Sequence, residues 1–280
     1  MKEIIIIFVS LLLSVPLFAA DEVRFTGAPL ERSSQNESNA AIDRATDWLL
    51  SQQNKKGYWG DEDQLLTAVA TLAIAGSNSE IRKTPQIKKA IDWLKSPTCT
   101  SNKTVQIKAI LWREIALTVL APNAINIRLP RICESTGKIR YALYEIIFLR
   151  KYKDGELPYL QNLQNYRPQP DGVIFLSYYK KNSYIESAME TLAKEWSASN
   201  DIPKEWKEDA EMAWWYAHAI NRAFNGEIYL KKNGTVTPVD WRVPLANYWT
   251  TTQTMDAKGR GNWKNSILET AFAILLLSEL

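Results

Sequence analysis

Five neighbouring residues in the second half of the sequence combine acid–base groups with broad aromatic rings: Glu211, Trp214, Trp215, Tyr216 and His218. One helix is predicted to carry all five, and spacings of four and three put Glu211, Trp215 and His218 on one face of it. Glu211 or His218 could transfer a proton there, and the ring faces could stabilise a cation or hold an apolar chain. The alternative is core packing, in which Glu211 is salt-bridged and His218 is hydrogen-bonded.

The two cysteines, Cys99 and Cys133, are a second candidate pair for chemistry. Both lie near predicted helix ends, and in an oxidising compartment they could form a disulfide. Two separate buried thiols are the alternative. Neither cysteine belongs to a Cys-x-x-Cys or Cys/His cluster, so we expect no metal site and no cofactor.

The first residues of the sequence predict such a compartment. Ile4–Ala20 is an almost unbroken apolar stretch after Lys2, and Asp21 then restores polarity. This arrangement is typical of a secretory signal peptide at 1–20, so we expect a periplasmic or secreted protein. An uncleaved anchor is the alternative, because the stretch barely reaches the lower length for a membrane span. No later segment of the sequence is long and apolar enough to span a membrane.

Composition favours one helical domain. Of the 280 residues, 46% are hydrophobic and 23% are charged, which is enough apolar material for one sizeable core. The net charge is only +3 and no long basic run occurs, so nucleic acid is not an expected partner. Glycine and proline are sparse, with 11 and 12 residues, and this favours long helices. We expect a polar linker at 21–38 and one domain at 39–280.

Capping residues and apolar periodicity predict about ten helices joined by short connections. Thr84-Pro85 marks one helix start, since the missing N–H of proline costs nothing at the first helical position. Asp201-Ile202-Pro203 begins another helix, which continues to Phe224 and ends at Asn225-Gly226. The other predicted helices span about 40–53, 63–76, 103–121, 138–152, 179–197, 242–254 and 265–279.

One exception to the helical pattern lies near 228–236. Asn233-Gly234 separates two β-rich runs there, and this dipeptide tolerates the positive φ angles of a tight hairpin turn. The sequence therefore predicts one small β-hairpin in an otherwise all-α domain.

An internal repeat is the strongest pattern in the sequence. Two stretches share the order Trp-x-x-x-Gln, a polar turn, Gly-x-Trp and then Thr-Ala-x-Ala-x-Leu. The repeated residues are Trp48, Gln52, Gly57, Trp59 and Thr67–Leu72 in the first copy, and Trp249, Gln253, Gly261, Trp263 and Thr270–Leu275 in the second. A third, degraded copy at Ala90–Leu94 echoes Ala45–Leu49 but lacks the Gln and the Gly-x-Trp.

The repeat has a mechanical interpretation. Trp48 and Gln52 are four residues apart and share one helix face, and the glutamine falls at the helix end. A carboxamide both donates and accepts hydrogen bonds, so it could tie the end of one helix to the next helix. Gly57 would permit the turn, and Trp59 would fold back over the polar link. The second copy repeats each of these roles.

A glutamine followed by Gly-x-Trp in a hairpin repeat resembles the glutamine–tryptophan (QW) motif of squalene cyclases and the related prenyltransferase repeats. The resemblance covers 41–280 and implies an α/α toroid, in which helical hairpins stack in a ring around a concave centre. A closed ring would need six helix pairs, and about ten helices make five, so an incomplete ring is expected. The motif is a structural tie in that family and implies no particular activity.

The resemblance also implies catalytic groups that this sequence mostly lacks. Squalene–hopene-type cyclases place acidic residues directly before a Thr-Ala pair, and clustered carboxylates there protonate the substrate. Leu65-Leu66 precedes Thr67 in the first copy, whereas Glu269 precedes Thr270 in the second, so Glu269 is a weak candidate acid. The related protein prenyltransferases hold zinc with an Asp, a Cys and a His. The lone His218, without an Asp-x-Cys segment, argues against zinc.

The sequence is compatible with three functions. The favoured one is an exported binding or scaffold module that holds a lipid, glycan or peptide in the concavity of the toroid. A second is an enzyme acting on an isoprenoid or another long apolar substrate, for which the aromatic residues would form the site. The third is a polysaccharide lyase on the same fold, for which Arg167, Arg242 and Arg260 are available basic residues.

Overall fold

The structure is a computed structural model that describes residues 30–78, 80–96, 107–121, 193–194, 196, 202–224, 226–232 and 235–280. Several predictions lie outside these residues: the signal peptide at 1–20, the Cys99–Cys133 disulfide, Arg167 and the helix at 138–152, together with nearly all of the helix at 179–197.

The described part of the chain is mostly helical, as the sequence predicts. Its eight α-helices are α1 (Arg32–Gln52), α2 (Gln64–Ser77), α3 (Pro85–Lys95), α4 (Ile107–Leu120), α5 (Lys204–Glu208), α6 (Ala210–Phe224), α7 (Arg242–Thr251) and α8 (Ile267–Glu279). A 3₁₀ turn at Ile81–Lys83 precedes α3. None of the helices in these ranges is long and apolar enough to cross a membrane.

Two short antiparallel pairs of strands interrupt the helices. β1 (Tyr229–Lys232) pairs with β2 (Thr235–Pro238), and Lys232 lies opposite Thr235. The predicted hairpin near 228–236 is therefore confirmed, and it extends to Pro238. β3 (Thr254–Met255) pairs with β4 (Gly261–Asn262) inside the turn between α7 and α8, which the sequence did not predict.

Two predicted boundaries are wrong. Helix α1 begins at Arg32, so the polar linker does not reach residue 38, and Ser38 is fully buried. The helix predicted from Pro203 to Phe224 is broken at Asp209, whose backbone is extended and whose carboxylate accepts a hydrogen bond from Met212 N at 3.1 Å. Asp209 thus ends α5 and caps α6, because a carboxylate satisfies a free N–H of the first helical turn.

The second helices of the two repeat copies begin with the same device. Asp63 accepts a hydrogen bond from Leu66 N at 2.9 Å, and Ser266 accepts one from Glu269 N at 3.3 Å. Thr84 was predicted to cap α3 in this way, but its hydroxyl donates to Ile81 O at 2.7 Å instead.

Helix α8 holds the described part of the fold together. It packs against α6 on one side and against α1 and α2 on the other, and α2 in turn packs against α3 and α4. The α7–α8 hairpin at one end of the sequence thus lies beside the α1–α2 hairpin at the other end. Small residues such as Ala68, Ala70, Ala271 and Ala273 are fully buried, which allows these helices to approach closely.

Aromatic side chains fill the space between α4, α6 and α8. The Trp112 and Trp214 ring centroids are 5.5 Å apart, and Phe272 lies 5.3 Å from Trp112 and 5.8 Å from Trp214. All three side chains are at most 1% exposed. Burying rings of this size contributes much of the apolar stabilisation of the fold.

Candidate functional site

The three aromatic candidates on α6 are core residues. Trp214 and Trp215 are fully buried and Tyr216 is 7% exposed. Trp214 contacts Trp112 of α4, and the Tyr216 ring stacks on Trp206 of α5 with centroids 4.6 Å apart. These contacts run between helices, so the aromatic set binds neighbouring elements of the protein and presents no open ring face to a ligand.

Glu211 lies at the start of α6 and forms an ion pair with Lys108 at the start of α4. The Glu211 side chain is 13% exposed and that of Lys108 is 26% exposed, so the pair is partly shielded from water. The ion pair ties the start of α6 to the start of α4, so the Glu211 carboxylate already has a partner within the protein.

His218 faces a different partner. Its Nδ1 lies 2.9 Å from Oε1 of Glu279 on α8, and both side chains are buried. Asn221 donates to the backbone oxygen of Glu279 at 2.7 Å and to its Oε2 at 3.2 Å. Glu211 and His218 therefore share a helix but engage α4 and α8 respectively, and the structure does not bring them together as an acid–base pair.

Arg242 completes this buried polar cluster from α7. Its Nη2 donates to Asn221 Oδ1 at 2.8 Å, and the residue is only 3% exposed. Burial lowers the pKa of Arg242 from its ordinary value, and the negative charges of Glu279, Asp240 and Glu227 oppose that shift. The cluster joins the end of α6, the start of α7 and the end of α8, and its burial removes Arg242 from the reach of a glycan in solution.

Gly226 makes room for this arginine. A Cβ atom at Gly226 would lie 2.0 Å from Arg242 Nη2, and the backbone φ of +81° is one that side-chain-bearing residues rarely adopt. The predicted helix stop at Asn225-Gly226 thus also provides the space in which the Arg242 guanidinium lies.

Glu269 is a capping residue. Its Oε2 accepts a hydrogen bond from Ala210 N at 3.2 Å, and its Oε1 lies 3.4 Å from Lys264 Nζ. The carboxylate thereby satisfies the first N–H of α6, a position that favours negative charge. The first contact ties the α7–α8 hairpin to α6, and the second lies within that hairpin.

The prediction for Gln52 is wrong by one residue. Gln52 is exposed, and its amide donates only to Ser51 Oγ at 3.2 Å among the described residues. The neighbouring Gln53 makes the tie instead: its Nε2 donates to Gly57 O at 2.9 Å and to Gln86 O of α3 at 3.0 Å. The helix ends at Gln52, so the side chain that follows the end, and not the last helical one, points at the next hairpin.

Gln253 makes the predicted type of tie in the second copy. Its Nε2 donates to Ala41 O of α1 at 2.8 Å, and its Oε1 accepts from Arg44 Nε at 2.8 Å. The side chain lies against Gly261, where a Cβ atom would come within 2.2 Å of the Gln253 carboxamide carbon. Glycine is therefore required at 261 for this close approach.

The two Gly-x-Trp tryptophans make identical bonds. Trp59 Nε1 donates to Leu49 O at 2.7 Å, and Trp263 Nε1 donates to Trp249 O at 2.8 Å. Their backbone N–H groups donate to the hydroxyls of Thr67 and Thr270 respectively, both at 3.1 Å. Trp249 is therefore equivalent to Leu49 and not to Trp48.

Trp48 itself is buried in the core at 4% exposed, and its carbonyl accepts a hydrogen bond from Ser51 Oγ at 2.6 Å. It thus packs the first hairpin without taking part in the tie that its spacing from Gln52 predicted.

The degraded third copy uses another residue for the same purpose. Arg113 Nε donates to Leu94 O at 2.7 Å, and the spacing of 45 between the copies makes Leu94 equivalent to Leu49. Arg113 is paired with Glu114 at 2.6 Å, and both residues are buried. Sequence reasoning missed this pair, although two adjacent charges within the mainly apolar run of α4 were the available sign.

Comparisons with protein-family models, with curated proteins and with solved structures gave no match to this chain. Within the described ranges, no group of three or more His, Cys, Asp or Glu side chains is placed to hold a metal ion.

Proposed function

We propose that this chain is an exported α/α toroid repeat protein of the squalene cyclase and prenyltransferase type, and that it is a binding or scaffold module. The observation that carries the proposal is a repeated set of hydrogen bonds. Gln53 and Gln253 each donate to a carbonyl of a neighbouring hairpin, and Trp59 and Trp263 each donate to a carbonyl of the preceding helix. The same hydrogen bonds recur at two distant points of the sequence, which is what a stack of equivalent hairpins requires.

The candidate acids support a role without catalysis. Glu211 is paired with Lys108, His218 with Glu279, and Glu269 caps α6. Each of these groups has a structural partner that would have to be released before it could transfer a proton to a substrate.

The packing between the helices argues against a long apolar substrate. Trp112, Trp214 and Phe272 fill the space between α4, α6 and α8 with the protein's own side chains, so this described part of the interior is already occupied. A polar ligand, such as a glycan or a peptide, fits this arrangement better. It would bind at the surface around the starts of α4 and α6, where the Lys108–Glu211 ion pair is partly exposed and where a charged ligand would compete for one member of the pair.

The test is to incubate the purified protein separately with squalene, a polyprenyl lipid, an acidic glycan and a peptide mixture, and to analyse each sample by mass spectrometry. We expect a glycan or peptide to be retained with unchanged mass, and retention to weaken in a Glu211→Gln variant. Gln52→Ala is the matched control, because Gln52 is exposed and lies on another helix. A cyclised hydrocarbon or an unsaturated oligosaccharide would contradict the proposal and identify an enzyme.

A further inference from the structure

The break between α5 and α6 lies in a stretch whose sequence favours one helix. Residues 204–224 contain no glycine or proline, and most residues beside Asp209 are good helix formers. Asp209 caps α6, but inside a helix an aspartate is only modestly less favourable than an alanine. The local sequence alone therefore gives little reason for the chain to turn here, so contacts from elsewhere in the fold must stabilise the turn.

The α7–α8 hairpin supplies those contacts. In a continuous α-helix, the last three carbonyls of α5 would accept hydrogen bonds from the first three N–H groups of α6. Three side chains of the hairpin donate to these carbonyls instead. The pairs are Trp249 Nε1 with Trp206 O at 3.0 Å, the Tyr248 hydroxyl with Lys207 O at 3.2 Å, and Lys264 Nζ with Glu208 O.

The other side of the break is held by the same hairpin. Glu269 Oε2 accepts a hydrogen bond from Ala210 N at 3.2 Å, so the first N–H of α6 is satisfied as well. The last hairpin thus provides partners for backbone groups on both sides of Asp209. These groups would bond to one another if the helix continued through that residue.

The break also folds α5 back along α6. The Trp206 ring of α5 stacks on the Tyr216 ring of α6, with centroids 4.6 Å apart. In a continuous helix these two residues would be separated by about 15 Å along the axis. The stack therefore depends on the break. Trp206 is 1% exposed and Tyr216 is 7% exposed, so α5 in its folded-back position helps to cover Tyr216.

We propose that α5 is a strap over Tyr216, held in place by the α7–α8 hairpin, and that residues 204–224 become one continuous helix when those contacts are lost. Straightening breaks the ring stack and returns main-chain hydrogen bonds to the carbonyls of α5, so each form has interactions that the other lacks. The straightened form uncovers Tyr216. The exposure of this aromatic ring is thereby coupled to the last hairpin.

Carbon-13 chemical shifts of the full chain test the strap, because the Cα resonance of a helical residue lies downfield of that of an extended one. The triple variant Tyr248→Phe/Lys264→Met/Glu269→Met removes three of the contacts. Each lost hydrogen bond should raise the ratio of straightened to folded-back form by roughly fivefold, and the three together by about a hundredfold. We expect the Asp209 Cα resonance to move downfield, and each single variant to move it part of the way. Lys258→Met is the matched control, since it removes an exposed lysine from the same turn, and it should leave this resonance unchanged.

An Asp209 Cα resonance that stays at its extended position in the triple variant and in the single variants would overturn the proposal. A move of the α5 resonances toward random-coil values would also overturn it, because α5 would then fray and not straighten. Asp209→Ala tests the cause of the break with the hairpin contacts intact, and residue 209 should remain extended in it. A helical residue 209 in that variant would show that the aspartate sets the break and the hairpin does not.

Discussion

The first hairpin, α1–α2, and the last one, α7–α8, form equivalent tryptophan hydrogen bonds with turns of different length. Trp59 follows Leu49 by ten positions and Trp263 follows Trp249 by fourteen, yet both tryptophans reach the equivalent carbonyl. The longer turn folds its extra residues into β3 and β4. The tryptophan hydrogen bond therefore joins equivalent positions in both hairpins, although the number of residues in the turn differs.

The glycines of the two turns show the sharpest difference, and they give the largest predicted effect. A Cβ atom at Gly57 would lie 2.6 Å from the backbone of Lys89, and its φ of +102° disfavours any side chain. A Cβ at Gly261 would instead meet the Gln253 side chain, which can move away. We expect Gly57→Ala to cost about 3–4 kcal/mol of unfolding free energy and Gly261→Ala about 1–2 kcal/mol, measured by urea denaturation. Equal costs would contradict this distinction between the turns.

The tryptophans should behave alike. Trp59→Phe and Trp263→Phe each remove an N–H from a buried carbonyl and leave a small cavity, so each should lower the unfolding free energy by about 2–3 kcal/mol. Urea denaturation of the two variants in parallel measures the effect. A difference of more than about 1 kcal/mol between them would show that the two hairpins are not equivalent.

The neighbouring glutamines give a smaller effect with an internal control. Gln53→Ala removes the hydrogen bonds to Gly57 O and Gln86 O and should cost about 1–2 kcal/mol. Gln52→Ala changes an exposed residue and should stay within about 0.5 kcal/mol of the unchanged protein. Thermal unfolding followed by circular dichroism compares the two variants. A larger loss of stability in Gln52→Ala than in Gln53→Ala would support the sequence prediction, in which Gln52 makes the tie.

The smallest predicted effect on stability concerns the Asp256–Arg260 pair in the longer turn, between α7 and α8. Hydrogen bonds from the Arg260 side chain and backbone hold the pKa of Asp256 below its ordinary value of 3.8. Any stability from this pair is present above the unfolded pKa of Asp256 and is lost as the pH falls through the lower, folded value. In Arg260→Gln the Asp256 titration, followed by carbon-13 NMR, should move upward with little change in overall stability. An unchanged titration would show that Arg260 does not set this pKa.

The sequence predicts the helical hairpins well because their signals are local. Capping residues and apolar spacing lie within one turn of the boundary that they determine, as at Asp63 and Ser266. The register of the first copy could not be predicted in this way. Identity of residue type matched Trp48 to Trp249, whereas the structure matches Leu49 to Trp249, because the carbonyl and not the side chain is the point of attachment.

Of the two interpretations of α6, the described contacts agree with core packing. Glu211 lies in an ion pair and His218 is hydrogen-bonded. Their partners, Lys108 and Glu279, lie 103 and 61 residues away on other helices. No periodicity within α6 carries that information, because long-range partners depend on how the hairpins pack.

The side-chain amide protons of the glutamines test the central claim most directly. Nuclear magnetic resonance of the nitrogen-15-labelled protein can compare the hydrogen exchange of the Nε2 groups of Gln52, Gln53 and Gln253. We expect the Nε2 protons of Gln53 and Gln253 to exchange at least roughly tenfold more slowly than those of Gln52, because both side chains donate to helix carbonyls of a neighbouring hairpin. Rapid exchange at Gln253, equal to that of Gln52, would contradict the account.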